Sequence, residues 1–260
     1  MSAEKYQGYP AKIRFFKFTY SVHRWTGLFI GIQLLFWILG GFIMSVLPLE
    51  KVHGKHLAKP ANMASLTEKH TYSLDDLISR SFTNIERIEL SYIGKNPVYI
   101  VHSQNNISVY HGQSGKLTAP LTEAEIKFFA NQYYLGDGAL IRAKLHYLAP
   151  HEASRAKGKV WQVDFDDAWS TSLYLNPLTG GLVNTRSTMW RVFDFVWMLH
   201  IMDYDTRDDF NNPLLVAFSL VATLFTLSGF VLLYHRFRPR AKRRPQRALN
   251  SALNTKKAAD

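Results

Sequence analysis

The chain has 260 residues, 47% of them hydrophobic, a formal net charge of +11 and no cysteine. The missing thiols exclude disulfides, thiolate zinc sites, cysteine-ligated iron–sulfur clusters and cysteine nucleophiles. The charge is unevenly placed: residues 1–24 and 236–260 hold 14 Lys and Arg against 2 Asp and Glu, so the remainder is close to neutral.

Residues 1–24 read as a basic, aromatic lead-in, with Tyr6, Tyr9, Phe15, Phe16, Phe18 and Tyr20 suited to a membrane interface. From Thr26 to Leu47 no charge occurs for 22 residues. A helix of that length reaches about 33 Å, enough for a hydrocarbon core of about 30 Å. The apolar region of a secretory signal is shorter, about 7–15 residues, so residues 25–48 are expected to form a retained transmembrane helix. Gly27 and Gly31, then Gly40 and Gly41, offer small-residue faces that admit another helix or a flat ligand. A second uncharged run, Asn211–Tyr234, predicts a transmembrane helix over 211–235, with Pro213 in its first turn. Cations flank both spans. The positive-inside rule therefore puts both tails in the cytoplasm and the middle in the periplasm of a bacterial inner membrane. The basic charge is then assigned to membrane lipid, with no nucleic-acid partner.

Between the spans, residues 49–70 read as a periplasmic linker containing His53-x-x-His56, a spacing open to metal binding, and His70. Residues 71–186 read as a periplasmic domain. Its elements are a short helix over Leu74–Phe82, strands at Arg87–Ile93, Val98–His102 and Ile107–His111, and turn signals at Gly94–Pro97 and Asn105-Asn106. Thr122-Glu123-Ala124-Glu125 is a capping box opening a helix through about Leu135. Strands follow at Val160–Phe165, Thr171–Leu175 and Leu182–Asn184. Ser108–Leu117 and Ser172–Leu182 share a strand, polar turn, glycine, strand pattern, which predicts two copies of a helix-then-three-strands unit. Residues 187–210 form an amphipathic segment, with Trp190–Ile201 helical, and residues 236–260 a basic tail. The expected fold class is an α+β membrane protein, two transmembrane helices flanking a periplasmic domain.

Paired units between spans, the start His23-Arg24-Trp25-Thr26-Gly27, and the approach to the last helix, Trp197–Tyr204 followed by Phe210–Leu215, resemble the PepSY-associated transmembrane family. The short form, ending in a basic tail soon after Tyr234, is similar to two-helix iron-uptake ferric reductases of the VciB type. The resemblance implies PepSY-like α-β-β-β repeats, haem b as cofactor, and reduction of ferric iron.

Neutral imidazole is an axial ligand of haem iron, and four histidines, one of them either His53 or His56, sit at the expected membrane edges. His23 and His235 lie on the cytoplasmic side; His200 and either His53 or His56 lie outside. Pairing on each side would join His23 with His235, and His200 with His53 or His56, from one subunit or two. Two spans do not wall off a haem, which argues for a homodimer of four helices. Asp203, Asp205, Asp208 and Asp209 form an acidic loop whose oxygens suit ferric iron. No Gly-x-Ser-x-Gly, His-Glu-x-x-His, Gly-x-Gly-x-x-Gly or phosphate-loop motif is present, so electrons would come from a flavin reductase or quinol. The expected activity is that of a haem-dependent transmembrane ferric-iron oxidoreductase. The rivals are a non-enzymatic PepSY binding module and a periplasmic metal-binding sensor.

Overall fold

The structure is a computed structural model describing residues 11–60, 68–80, 85–104, 106–156 and 158–238. In chain order its elements are α1 (Ala11–Val46), α2 (Leu49–Val52), α3 (Leu74–Ser79), β1 (Ile85–Ile93), β2 (Asn96–Ser103), β3 (Asn106–His111), α4 (Glu123–Tyr133), β4 (Ala139–His146), a 3-10 turn at His151–Ala153, β5 (Val160–Asp166), β6 (Ser172–Leu175), β7 (Leu182–Arg186), α5 (Thr188–Ile201) and α6 (Pro213–Phe237). They fall into two units, one built from Met1–Trp37 with Asn211–Asp260, the other from Ile38–Phe210. The chain is therefore mixed α+β, with two long apolar helices and two small antiparallel sheets.

The first unit is a pair of helices. α6 begins as its sequence dictates: Pro213 needs no hydrogen-bond partner in the first turn, and Asn212 Oδ1 accepts from the Leu215 N–H at 2.9 Å. Both helices are long and apolar enough to cross a membrane. In their most apolar windows only 6% of α1 and none of α6 is buried, the reverse of a core helix in a soluble protein. Phe16 lies against His235, and His23 against Phe225 and Ser228. Seven residues forward on α1 correspond to seven residues back on α6, so the helices run antiparallel.

The second unit holds two meanders, β1-β2-β3 and β4-β5-β6-β7, each antiparallel between neighbours. Strand alternation assigns opposite faces to successive residues. On β2, Val98 and Ile100 enter the main core, while Tyr99 and Val101 meet Leu77 of α3. The main core joins those residues to Ile126, Phe129, Ala130 and Tyr133 of α4, and to Val163, Phe165, Leu173 and Leu175 of the second sheet. The capping box at α4 forms in both directions: Thr122 Oγ1 accepts from the Glu125 N–H at 3.4 Å, and Glu125 Oε2 from the Thr122 N–H at 2.8 Å.

The structure differs from the sequence expectations in three places. β4 is an additional strand, so α4 is followed by four strands where three were expected. Its Ala, Arg and Lys are weak strand formers, and an irregularity between Leu140 and Arg142 breaks the alternation. α3 ends at Ser79; Ser81 and Phe82 of the expected helix, like Asn105 of the expected turn, lie outside the described residues. Residues 49–60, read as the start of a linker, are packed on the second unit through buried Val52, Leu57 and Ala58. Residues 61–67 of that linker lie outside the described residues.

Gly54 is the pivot of the 49–60 segment. It has φ +70, and a Cβ there would stand 2.6 Å from Thr185 Cγ2 on β7. Gly54→Ala is expected to cost more than about 1 kcal/mol, combining left-handed backbone strain with that clash. A lowered midpoint of chemical unfolding for the full chain in detergent would record it; an unchanged midpoint would contradict the packing.

Candidate functional site

His23 is the most fully defined of the histidine candidates. Its ring stacks on Phe225, with centroids 4.3 Å apart and planes 4° from parallel. Nδ1 lies 2.7 Å from Ser228 Oγ, and the Ser228 hydroxyl donates to the Phe225 carbonyl at 2.7 Å. With the hydroxyl proton on the Phe225 carbonyl, Ser228 Oγ would accept from Nδ1–H. The lone pair is then on Nε2, the arrangement of a ligating imidazole oriented by an outer hydrogen bond. Gly229 leaves the necessary room, since a Cβ there would be 3.2 Å from His23 Cε1.

The helix pairing also changes the apparent depth of this residue. Ser228 precedes His235 by seven residues, about 10 Å of helix, and α6 is uncharged through Tyr234. His23, which the sequence places before an uncharged run, thus lies alongside the apolar part of α6. His235 is exposed, and its ring meets Phe16 at 3.8 Å between centroids. His23 thus meets α6 at Ser228, about 10 Å along the helix from His235, so within one chain the two imidazoles do not come together.

His200 packs elsewhere, on the last turns of α1. Cβ atoms added at Gly40 and Gly41 would stand 3.8 Å from its Nδ1 and 3.4 Å from its Cε1, and Val196 Cγ1 would be 3.3 Å from the first. The Gly40-Gly41 pair therefore admits a neighbouring helix, α5. Of the earlier pair, Gly27 faces Phe225, whereas Gly31 has nothing within 4 Å.

His53 lines a cavity of about 300 Å³ together with Lys55, Arg155, Asn184, Thr185 and Arg186. Burial, then the charges of Arg155, Arg186 and Lys55, hold its pKa below the usual imidazole value. His56 is exposed and does not line this cavity.

The acidic loop is organised by Asp203, which is 8% exposed. Its carboxylate accepts from the N–H groups of Asp205, Thr206, Asp208 and Asp209 and from the Thr206 hydroxyl. These bonds, that of the Asp209 N–H foremost, hold it well below the usual carboxylate range. Asp205, Asp208 and Asp209 are exposed. Among the described residues no group of three or more His, Asp or Glu side chains comes together to hold a metal.

Sequence reasoning passed over a polar cluster behind the second sheet. Glu152 takes two hydrogen bonds from Arg191, at 2.8 and 3.0 Å, and one from Tyr174 OH at 3.1 Å. Arg186, 7% exposed, donates Nε–H to the Glu152 carbonyl at 2.7 Å and lies over the Trp190 ring at 4.1 Å. Burial lowers its pKa to about 10. Asp194 accepts from Arg207 Nη1 and lies 3.2 Å from His151 Nε2. His151-Glu152 reads in sequence only as an incomplete zinc motif, and no spacing links it to residues some forty positions away.

Compared with models of known families, with curated proteins and with solved structures, the chain matches none.

A further polar knot gives a pH test of the second unit. Asp167 accepts from Thr171 Oγ1 at 2.6 Å, from Tyr134 OH at 2.7 Å, and from the Thr171 and Trp169 N–H groups. Burial raises its pKa, but these bonds outweigh it and hold the group below its ordinary 3.8. Burial and the Asp167 bond raise Tyr134 to about 12. A depressed carboxylate contributes stability that is present above its unfolded value and lost as pH falls through the folded one. The unfolding midpoint should therefore drop as pH falls below 3.8. Asp167→Asn should lower it at neutral pH and flatten the acid limb. An acid limb of unchanged slope in that variant would contradict the assignment.

Proposed function

We propose that this chain is a two-span protein of a bacterial inner membrane that binds haem b and passes electrons to ferric iron on the periplasmic side, in support of ferrous iron uptake. The carrying observation is the His23 imidazole alongside the apolar part of α6, with Nδ1 committed to Ser228 and no partner for Nε2 among the described residues. An ionisable side chain at such depth is costly and marks a functional position. The antiparallel helix pair supports the reading of a hairpin whose basic ends share the cytoplasmic side, in which the α+β unit would be periplasmic.

In this reading His23 would hold the haem iron. Ser228 fixes its tautomer, and Phe225 fixes the plane of its ring. When bound, haem supplies one-electron chemistry at a potential set by its axial ligand and burial. Two helices with this little burial do not enclose a macrocycle, so a homodimer completes the site. Gly31, with open space beside it, is the close-approach position for the second copy. Electrons come from a flavin reductase or quinol, because the chain carries no nicotinamide or flavin motif. A second reading, a non-enzymatic binding module, is favoured by the cationic cavity at His53.

Full-length protein purified in detergent from haem-replete cells should show a Soret band that shifts on reduction. His23→Ala should lose most of that band and the ferric reduction that accompanies it. His235→Ala should retain both, and Ser228→Ala should alter the reduced spectrum. A colourless wild-type protein, or an undiminished band in His23→Ala, would contradict the reading.

A further inference from the structure

The cavity between the 53–58 turn and β7 has a composition that neither the haem reading nor packing of the fold requires. Its side chains include His53, Lys55, Arg155 and Arg186, and among the described residues no acidic side chain lines it. Lys55 pairs with Glu50 at 2.8 Å at the solvent edge. Arg186 is different: it is 7% exposed and forms no ion pair with a carboxylate among the described residues. Its Nε–H and Nη1–H serve the carbonyls of Glu152 and Thr185, and its face serves Trp190. The nearby Glu152 and Asp194 carboxylates offset part of its burial, yet burial still prevails, and a further negative group on its cavity side would be favourable.

A second observation points the same way. Asn184, 5% exposed, lines the cavity with its Oδ1 unpartnered. The two ends of an amide are interchangeable by rotation, so this side chain can present NH2 to an acceptor. Burial first, and then the charges of Arg155, Arg186 and Lys55, lower the basicity of His53 beside them. The close approach at Gly54 holds the geometry: it seats His53 and Lys55 against β7, beside Thr185.

We infer that this cavity is a binding site for a small oxyanion, a ligand bearing carboxylate or phosphate groups held between Arg186, Asn184, Arg155 and Lys55. About 300 Å³ is at the small end of ligand cavities, which fits a di- or tricarboxylate or a single phosphate group. Fork-shaped guanidinium donors favour the paired oxygens of such groups. The same chemistry is offered by free anions and by the headgroup of an anionic lipid.

The test uses the full chain in neutral detergent, titrated calorimetrically with citrate, inorganic phosphate, dioctanoyl phosphatidylglycerol and, as a zwitterionic control, dioctanoyl phosphatidylcholine. Saturable binding of citrate or phosphate, weakened about tenfold or more in Lys55→Gln/Arg155→Gln, supports the inference with a soluble ligand. Binding of the phosphatidylglycerol alone, weakened likewise, supports it with a headgroup. Both substituted positions are exposed, so the variant is expected to fold; circular dichroism and an unchanged unfolding midpoint check this. Arg186→Gln, which removes the buried guanidinium, should abolish binding. Absence of saturable binding to all three anions, or binding undiminished in the folded double variant, overturns the inference. None of these outcomes bears on the haem spectrum.

Discussion

The constraint on which the molecule depends is that two long helices present apolar side chains that the other described residues leave uncovered. Leu28, Phe29 and Ile32 on α1, and Leu220, Leu224 and Phe230 on α6, are all exposed. At about 25 cal/mol per Å² of apolar surface left in water, such helices are stable only where something apolar surrounds them. A bilayer, as proposed above, would supply that surrounding, and its hydrocarbon core of about 30 Å matches helices of this length. The few polar groups between the helices then acquire weight. His23, Ser228 and the Phe225 carbonyl form a closed chain of hydrogen bonds, as a low-dielectric setting demands.

The second unit solves a different problem with ordinary means. Two short meanders and α4 share one core, lined by apolar side chains of both sheets. That is why most of its elements are legible in sequence. The β2 run Val98–Val101 and the β6 run Ser172–Leu175 are buried on both faces and read as continuous apolar strands. The Thr122–Glu125 box reads as a helix start because its two hydrogen bonds are local. β4 was not legible because its outer positions carry Ala, Arg and Lys and its pairing slips at Leu140. The 49–60 segment reads as linker because its burial is earned by β7 and α4, far away in sequence.

The candidate site was legible in its residue types but less so in its geometry. The motif His23–Gly27 lies on α1. Its partners, Phe225, Ser228 and Gly229, are small or apolar residues with no signature of their own, and only the antiparallel register brings them to His23. Asp203 reads in sequence as one of four candidate iron ligands, yet its oxygens are engaged by the turn that follows it. The clusters around Glu152 and Asp194 were hidden for the same reason as the cationic cavity: each joins residues from separate strands and helices, and sequence spacing carries no trace of that.

The proposed hairpin, with both basic ends in the cytoplasm and the α+β unit beyond the membrane, is what the rest of the functional account stands on. The absence of cysteine allows a clean measurement. Asn131 lies exposed on α4, and Ser251 belongs to the basic tail. Single variants Asn131→Cys and Ser251→Cys, treated with a membrane-impermeant maleimide in spheroplasts, should be labelled at position 131 before lysis and at position 251 only after it. Labelling of 251 but not 131 in sealed spheroplasts would contradict the account.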